Sequence, residues 1–170
     1  MKYVAILRGI NVSGQKRIKM ADLKSLFESI NLQSVETYIQ SGNVIFETTS
    51  TQINELTQSI EKAIVNKYSF HVPVQIRTKG EIRSIVADCP FNPVDLESDG
   101  TKVLVTFLAT QPLPKRVIKL QEFVSPPERL IVAEKEVYLH CPNGYGKSKL
   151  SNTFLEKTPV ISAHYVCLAS

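Results

Sequence analysis

The feature that most restricts the fold is the order in which the apolar periodicity changes between Tyr3 and Thr78. Residues 3–7, "YVAIL", are a short apolar run closed by Arg8 and Gly9, which predicts a buried strand. Residues 20–30, "MADLKSLFESI", set Leu23, Leu26, Phe27 and Ile30 at helical spacing, so one helix face is apolar. "SVETYIQSGNVIFETT" is two β-rich runs around Ser41, Gly42 and Asn43, a tight hairpin signal. "TQINELTQSIEKAIVNKY" places Ile53, Leu56, Ile60 and Ile64 on one helix face. "VPVQIRT" closes the series as a strand, and Pro73 near its start suits a sheet edge. The order is β-α-β-β-α-β over residues 1–78, the ferredoxin-like split βαβ pattern. In that pattern the first and third strands are adjacent and central, and the helices cover a four-stranded antiparallel sheet.

Residues 79–100 read as a connection. "KGEIRSIVADCP" predicts a short helix with Ile82, Ile85 and Val86 facing inward, ended by Pro90 and Pro93, and "FNPVDLESDG" reads as a linker. Residues 101–170 then repeat the order. "TKVLVTFLA" is a buried strand, and "PKRVIKLQEF" is a helix with Pro114 in its first turn. "RLIVAEKEVYLHC" is a hairpin turning at Glu134 and Lys135, "KSKLSNTFLEK" a short helix, and "PVISAHYVCL" a last strand. The expected fold class is therefore α+β, two tandem ferredoxin-like (βαββαβ) halves joined by a short helix and linker. The alternative is one larger α+β domain with a shared sheet, because the halves repeat in pattern and hardly in residues.

Composition narrows the function classes. Of 170 residues, 43% are apolar and 21% charged, proportions that allow a packed core. No run approaches the roughly eighteen apolar residues of a membrane helix, and "MKYVAILRGI" lacks the long apolar core of a signal peptide. The three cysteines, Cys89, Cys141 and Cys167, are odd in number and lack a framework, which fits a reducing compartment. A cytoplasmic protein with no membrane partner is expected. No metal or cofactor is expected either: His140 and Cys141 are adjacent on a strand and point to opposite faces, and no CxxC or HxxxH supplies further ligands. The net charge of +4 permits an anionic partner without requiring one.

The distribution of charge says more. Arg8, Lys16, Arg17 and Lys19 crowd the loop "RGINVSGQKRIK" without an acid, and they lead into a helix start, where cations oppose the dipole. An anion bound there would offset that repulsion; a solvated basic loop is the plainer reading. A second basic loop, "CPNGYGKSKL", contains Gly146-Lys147-Ser148, the end of a phosphate-binding loop. The first glycine of that motif should stand at residue 141, which is Cys, while Asn143 and Gly144 come one place late. A glycine turn with a capped helix start therefore ranks first, an anion cradle at a helix N-terminus second, and a nucleotide-hydrolysing site last. Each loop leaves the equivalent edge of its half, and both line one cleft if those edges converge. Tyr38 and Gln40 share a face of the hairpin "TYIQSGNVIF", but RNA readers of this fold stack bases on central strands, and the Gly-Phe-x-Phe pattern is absent. Ser41 and Ser148 have no evident His partner, and no catalytic triad is visible.

"YVAILRGINV", "KRIKMADLKSLFESI", "TYIQSGNVIF" and "PNGYGKSKL" together closely resemble a bacterial family, domain of unknown function 1697, over about residues 3–157. The resemblance implies two ferredoxin-like halves and no assigned activity. It directs attention to Arg8, Asn11, Lys19, Gln40, Ser41, Asn43, Asn143, Lys147 and Lys149. Members of the family usually end in an Arg-Asn-Trp-x-Thr-Val run opening a terminal helix. Here the chain reads "VISAHYVCLAS" and contains no Trp, as expected of a truncated or altered C-terminus in which a site using that Arg and Asn is incomplete. With Lys16, Arg17, Gly144 and Ser148 from the two loops, these positions are the expected binding residues for a phosphate-bearing ligand, either a nucleotide or a nucleic-acid backbone. The alternatives are an enzyme acting on a small phosphorylated metabolite held by Arg8 and Lys147, and an interaction module using sheet edges. The sequence names neither a catalytic residue nor an oligomeric state.

Overall fold

The computed structural model of the protein describes residues 1–11, 14–38, 42–91, 102–108, 110–150, 154 and 167–168. Among them are two separate four-stranded antiparallel sheets and four α-helices. The chain divides into two compact units, Met1–Ser84 and Ile85–Ser170.

The first unit contains β1 (Lys2–Leu7), α1 (Met20–Ser29), β2 (Gln33–Tyr38), β3 (Asn43–Glu47), α2 (Ile53–Tyr68) and β4 (Val74–Thr78). Its strand order is β2-β3-β1-β4, so β1 and β3 are central and Pro73 precedes an edge strand. Alternation in β1 sends Tyr3, Ala5 and Leu7 into one core with Val44, Phe46, Val74 and Ile76. The stripes of α1 (Leu23, Leu26, Phe27) and α2 (Leu56, Ile60, Ile64) close that core. Phe46 stacks on Tyr3 with ring centroids 5.8 Å apart and meets Phe27 edge-on at 5.7 Å. On the other face of the sheet, Asn43, Ile6 and Gln75 lie side by side in register and are also buried.

In the second unit β5 (Val103–Phe107), α4 (Pro114–Gln121), β6 (Arg129–Ala133), β7 (Glu136–His140) and β8 (Cys167–Leu168) follow. The strand order is β6-β7-β5-β8. Pro114 opens α4, where its missing N–H costs nothing. The β6–β7 hairpin turns at Glu134 and Lys135, with Glu134 at φ 49°. Cys141 and Leu150 join Leu104, Leu120, Leu130 and Leu139 in the core. His140 faces away from that core, its ring 5.5 Å from that of Phe91.

Three expectations need correction or limits. The connecting helix α3 (Lys79–Ala87) buries none of its residues; Ile82 and Ile85 are half-buried and Val86 is 55% exposed. Its inward stripe runs through positions 82, 85 and 89, one turn apart, and residue 86 falls to the side of it. Phe91, read as linker, is buried beneath the Arg129 guanidinium at 4.8 Å; positions 92–100 lie outside the described residues. No helix starts at Lys147: a 3-10 turn over Tyr145–Lys147 is followed by extended chain at Ser148. Positions 151–153 and 155–157 of that expected helix lie outside the described residues, as do positions 159–166 of the expected last strand.

Candidate functional site

The first basic loop leaves β1 and enters α1, and its path is set by its own backbone. Gly9, Asn11, Gly14 and Lys16 all have positive φ, at 68°, 56°, 74° and 46°. Asn11 is a residue type that tolerates this region, and its side chain holds the loop shut. Its Nδ2 donates to the Ile18 carbonyl at 2.9 Å and its Oδ1 accepts from the Ile18 N–H at 2.9 Å. The Asn11 N–H also donates to the Lys16 carbonyl at 3.2 Å. Lys16 turns back, and its Nζ donates to the His71 carbonyl at 2.8 Å. Asn11 and Lys16, expected as ligand contacts, thus spend these groups on bracing the loop.

The bracing presents the next cations. Arg17 and Lys19 are exposed and have no hydrogen-bond or ion-pair partner among the described residues. Lys19 is the N-cap residue of α1 and makes no side-chain cap. The amides of the first turn are therefore left without a side-chain acceptor, next to two positive side chains, where an anion is favoured. Asn11, Gly14, Arg17, Ile18, Lys19, Met20, Asp22 and Tyr68 line a depression of about 710 Å³. Asp22 is the one acid in that lining. Tyr68, at the end of α2, has its hydroxyl buried with no hydrogen-bond partner among the described residues. Burial and then the Asp22 charge push the Tyr68 phenol above its usual range. Tyr68, Met20 and Asp22 were not singled out in the sequence, because nothing local marks the end of one helix as the neighbour of the start of another.

The hairpin motif meets this loop. The Leu7 N–H donates to the Gly42 carbonyl at 3.1 Å, and the Arg8 N–H to the Pro73 carbonyl at 3.0 Å. Gly42 sits at φ 91°, and a Cβ there would lie 2.6 Å from Cδ1 of Ile10. Residues 7–10 and Gly42 thus meet in one packed corner. Asn43 is not at its surface, being 4% exposed in β3 opposite Ile6. Tyr38 is 55% exposed on edge strand β2; Gln40 and Ser41 lie outside the described residues.

The second basic loop is built differently. Cys141, where a phosphate loop needs its first glycine, is a core residue, and its N–H donates to the Lys102 carbonyl at 2.7 Å. Burial pushes its thiol up, partly countered by a hydrogen bond with Ser148. The amides of Gly144, Lys147 and Ser148 donate to the carbonyls of Cys141, Gly144 and Tyr145 at 2.9, 3.2 and 3.0 Å. Those N–H groups are turned into the loop's own turns, not outward around a phosphate. The Ser148 hydroxyl accepts from the Leu150 N–H at 3.1 Å. Asn143, Lys147 and Lys149 are exposed.

Among the described residues no group of three His, Cys, Asp or Glu stands together as a metal site, and no helix is long and apolar enough to cross a membrane. The described chain defines a two-unit α+β protein with a braced basic loop over a helix start. It belongs to the family described as "Protein of unknown function (DUF1697)", whose model matches residues 1–138. That span contains the first loop and the hairpin and ends before the second loop. The chain is also similar in structure to the conserved bacterial protein SP0830 from Streptococcus pneumoniae, with a TM-score of 0.73 and 20% identity over 99% of this chain and 92% of that one. No curated protein matches the chain in sequence.

Proposed function

We propose that this is a cytoplasmic protein built of two ferredoxin-like units, and that its first unit binds a phosphate-bearing ligand at the loop of residues 8–19. The observation that carries the reading is the depression in which Arg17 and Lys19, both without partners among the described residues, flank the uncapped start of α1. Two cations and a helix N-terminus all favour an oxyanion. Arg17 offers the forked donor geometry that suits phosphate, and Lys19 a point charge. Arg8, on the same loop, adds positive charge to this corner. Lys147 and Lys149 are left out of this reading, since the 3-10 turn over Tyr145–Lys147 supplies no helix dipole.

The test is isothermal titration of the full chain with inorganic phosphate, adenosine monophosphate and a short single-stranded RNA. Arg17→Ala and Lys19→Ala should each weaken binding of all three by about tenfold, the loss of one charge-assisted hydrogen bond. Lys147→Ala should leave the binding of phosphate unchanged. Phosphate affinity that survives the double variant Arg17→Ala/Lys19→Ala would end this reading.

A further inference from the structure

The sheet of the second unit ends at β6, and the strand order leaves one side of β6 unpaired among the described residues. The two-residue turn pairs Ala133 with Glu136, so Ile131 and Arg129 stand opposite Tyr138 and His140. In such a hairpin these alternate residues bond to β7, and Leu130 and Val132 turn their N–H and C=O groups outward. The Leu130 carbonyl does point outward, since Gln121 Nε2 reaches it from the end of α4 at 2.9 Å. The N–H groups of Leu130 and Val132 and the Val132 carbonyl have no hydrogen-bond partner among the described residues. The usual guards of an edge are missing. β6 reads "RLIVA", without proline, bulge or charge between Arg129 and Glu134, whereas edge strand β2 is polar and breaks register between Gln33 and Glu36. Leu130 faces the core, so Ile131, 39% exposed, lies on the opposite face of the strand. Ile118, 65% exposed, stands on α4 one turn before Gln121.

We infer that β6 pairs with β6 of a second copy of this chain, antiparallel about a two-fold axis at Ile131, joining two four-stranded sheets into one of eight. An antiparallel self-pairing must set outward residues opposite outward residues. The register centred on Ile131 does so. Leu130 faces Val132 of the second copy and exchanges both hydrogen bonds with it, and Val132 does the same with Leu130. The Leu130 carbonyl has a second lone pair for this. Ile131 then meets Ile131 of the second copy at a non-hydrogen-bonded position, where side chains come closest.

The helices supply charge complementarity. β5 and β6 both run antiparallel to β7, and α4 returns between them, opposite in direction to β6. The Gln121–Leu130 hydrogen bond sets those two residues at one level. From that level the axis at Ile131 lies about 3.4 Å along β6. In the same direction Ile118 lies about 4.5 Å and Lys115 about 9 Å along α4, and Glu122 lies about 1.5 Å the other way. The two-fold therefore brings Ile118 to within about 2 Å of the level of its own copy, and Lys115 to within about 1 Å of the level of Glu122 of the second copy. Lys115 and Glu122 are exposed and have no ion-pair partner among the described residues. The symmetry forms this pair twice, on either side of the two Ile118 side chains.

The test is sedimentation equilibrium of the full chain up to about 1 mM, a range that suits a small interface. A dimer is expected. Lys115→Glu and Glu122→Lys should each weaken it about tenfold, since both symmetric contacts become repulsive. The double variant Lys115→Glu/Glu122→Lys should restore the dimer. Mixing the two single variants in equal amounts should restore it as well, which a folding defect would not allow. Ile131→Cys should oxidise to a disulfide-linked dimer, because residues paired at such a position lie about 4.5 Å apart at Cα. Ala133→Cys, about 13 Å from its own copy in this register, should cross-link no more than the wild type under the same oxidation. A monomer throughout overturns the inference and leaves the edge to a strand of some other chain. A dimer indifferent to the charge reversals, or one cross-linked through Ala133→Cys and not Ile131→Cys, overturns it too.

Discussion

Gly42→Ala should damage the corner that holds the loop of residues 8–19 to the hairpin, and the structure gives the size. Two costs add. At φ 91° a side chain is strained, at about 1–3 kcal/mol. The new Cβ would also stand 2.6 Å from Cδ1 and 2.8 Å from Cγ1 of Ile10, and 3.0 Å from Cβ of Leu7. Ile10 is buried in the first core, so it cannot swing into solvent, and overpacking of that kind costs about 1–3 kcal/mol. The sum is about 2–6 kcal/mol, a large part of a domain's stability. Ile10→Ala removes the two closest atoms. By itself it should cost about 2–5 kcal/mol as a large-to-small change. In the Ile10→Ala background, however, Gly42→Ala should add only the backbone strain. The double-mutant cycle should therefore show a favourable coupling of about 1–3 kcal/mol. Native-state hydrogen exchange of the full chain is the assay, because it reads the β1 and β3 amides without assuming that both units unfold together. A coupling below about 0.5 kcal/mol, the usual error of additivity, would refute the packing argument even if Gly42→Ala alone proved damaging.

Asn11→Ala removes both hydrogen bonds to Ile18, and should speed exchange at the Ile18 amide and cost about 1–3 kcal/mol. Asn11→Asp keeps the acceptor for the Ile18 N–H and should recover part of that protection. Lys16→Ala should weaken phosphate binding less than Arg17→Ala, because its ammonium is engaged by the His71 carbonyl; equal losses in parallel titrations would make Lys16 a ligand contact instead of a brace. Burial, with Glu136, Cys89 and Asp88, pushes the Tyr138 phenol up to about 12 from 10.0. The folded state thus holds this proton more tightly than the unfolded one, so the stability it confers is present below pH 10 and is lost as pH rises toward 12. Tyr138→Phe should flatten that part of the alkaline denaturation profile, while losing the 3.1 Å hydrogen bond to the Ile85 carbonyl.

The elements of the first unit were legible because each has a clean period. Tyr3, Ala5 and Leu7 alternate, and Leu56, Ile60 and Ile64 recur every fourth residue, so strand and helix could be told apart before any packing was known. The site was legible only as a crowd of cations. Asn11, Lys16, Arg17 and Lys19 stand within nine residues of one another, yet the first two bind backbone and the last two bind nothing among the described residues. That division depends on which side chains can reach Ile18 and His71, which in turn depends on two left-handed non-glycine residues, Asn11 and Lys16. Spacing does not encode it. Tyr68 was out of reach for a different reason: it is 46 positions beyond Asp22, and only the packing of α2 beside α1 makes them neighbours.

The two basic loops show why similar composition does not give similar chemistry. Each contains glycine at positive φ and lysines without acids, and each follows a central strand. The difference lies in what comes next. After Lys19 the chain enters a helix of ten residues, whose first amides project from a long aligned stack of peptide dipoles. After Lys147 it leaves a three-residue turn, because Leu150 must return to the core beside Cys141. Cys141 forces that return: its buried side chain and its N–H bond to Lys102 fix the start of the loop. The short path from Cys141 to Leu150 then uses the Gly144, Lys147 and Ser148 amides on itself. Replacing Cys141 with glycine would restore the motif's spelling without freeing those amides, so Cys141→Gly should cost core stability and gain no nucleotide affinity. Measurable nucleotide binding acquired by that variant would show that the missing glycine, and not the consumed amides, is what keeps this loop from holding phosphate.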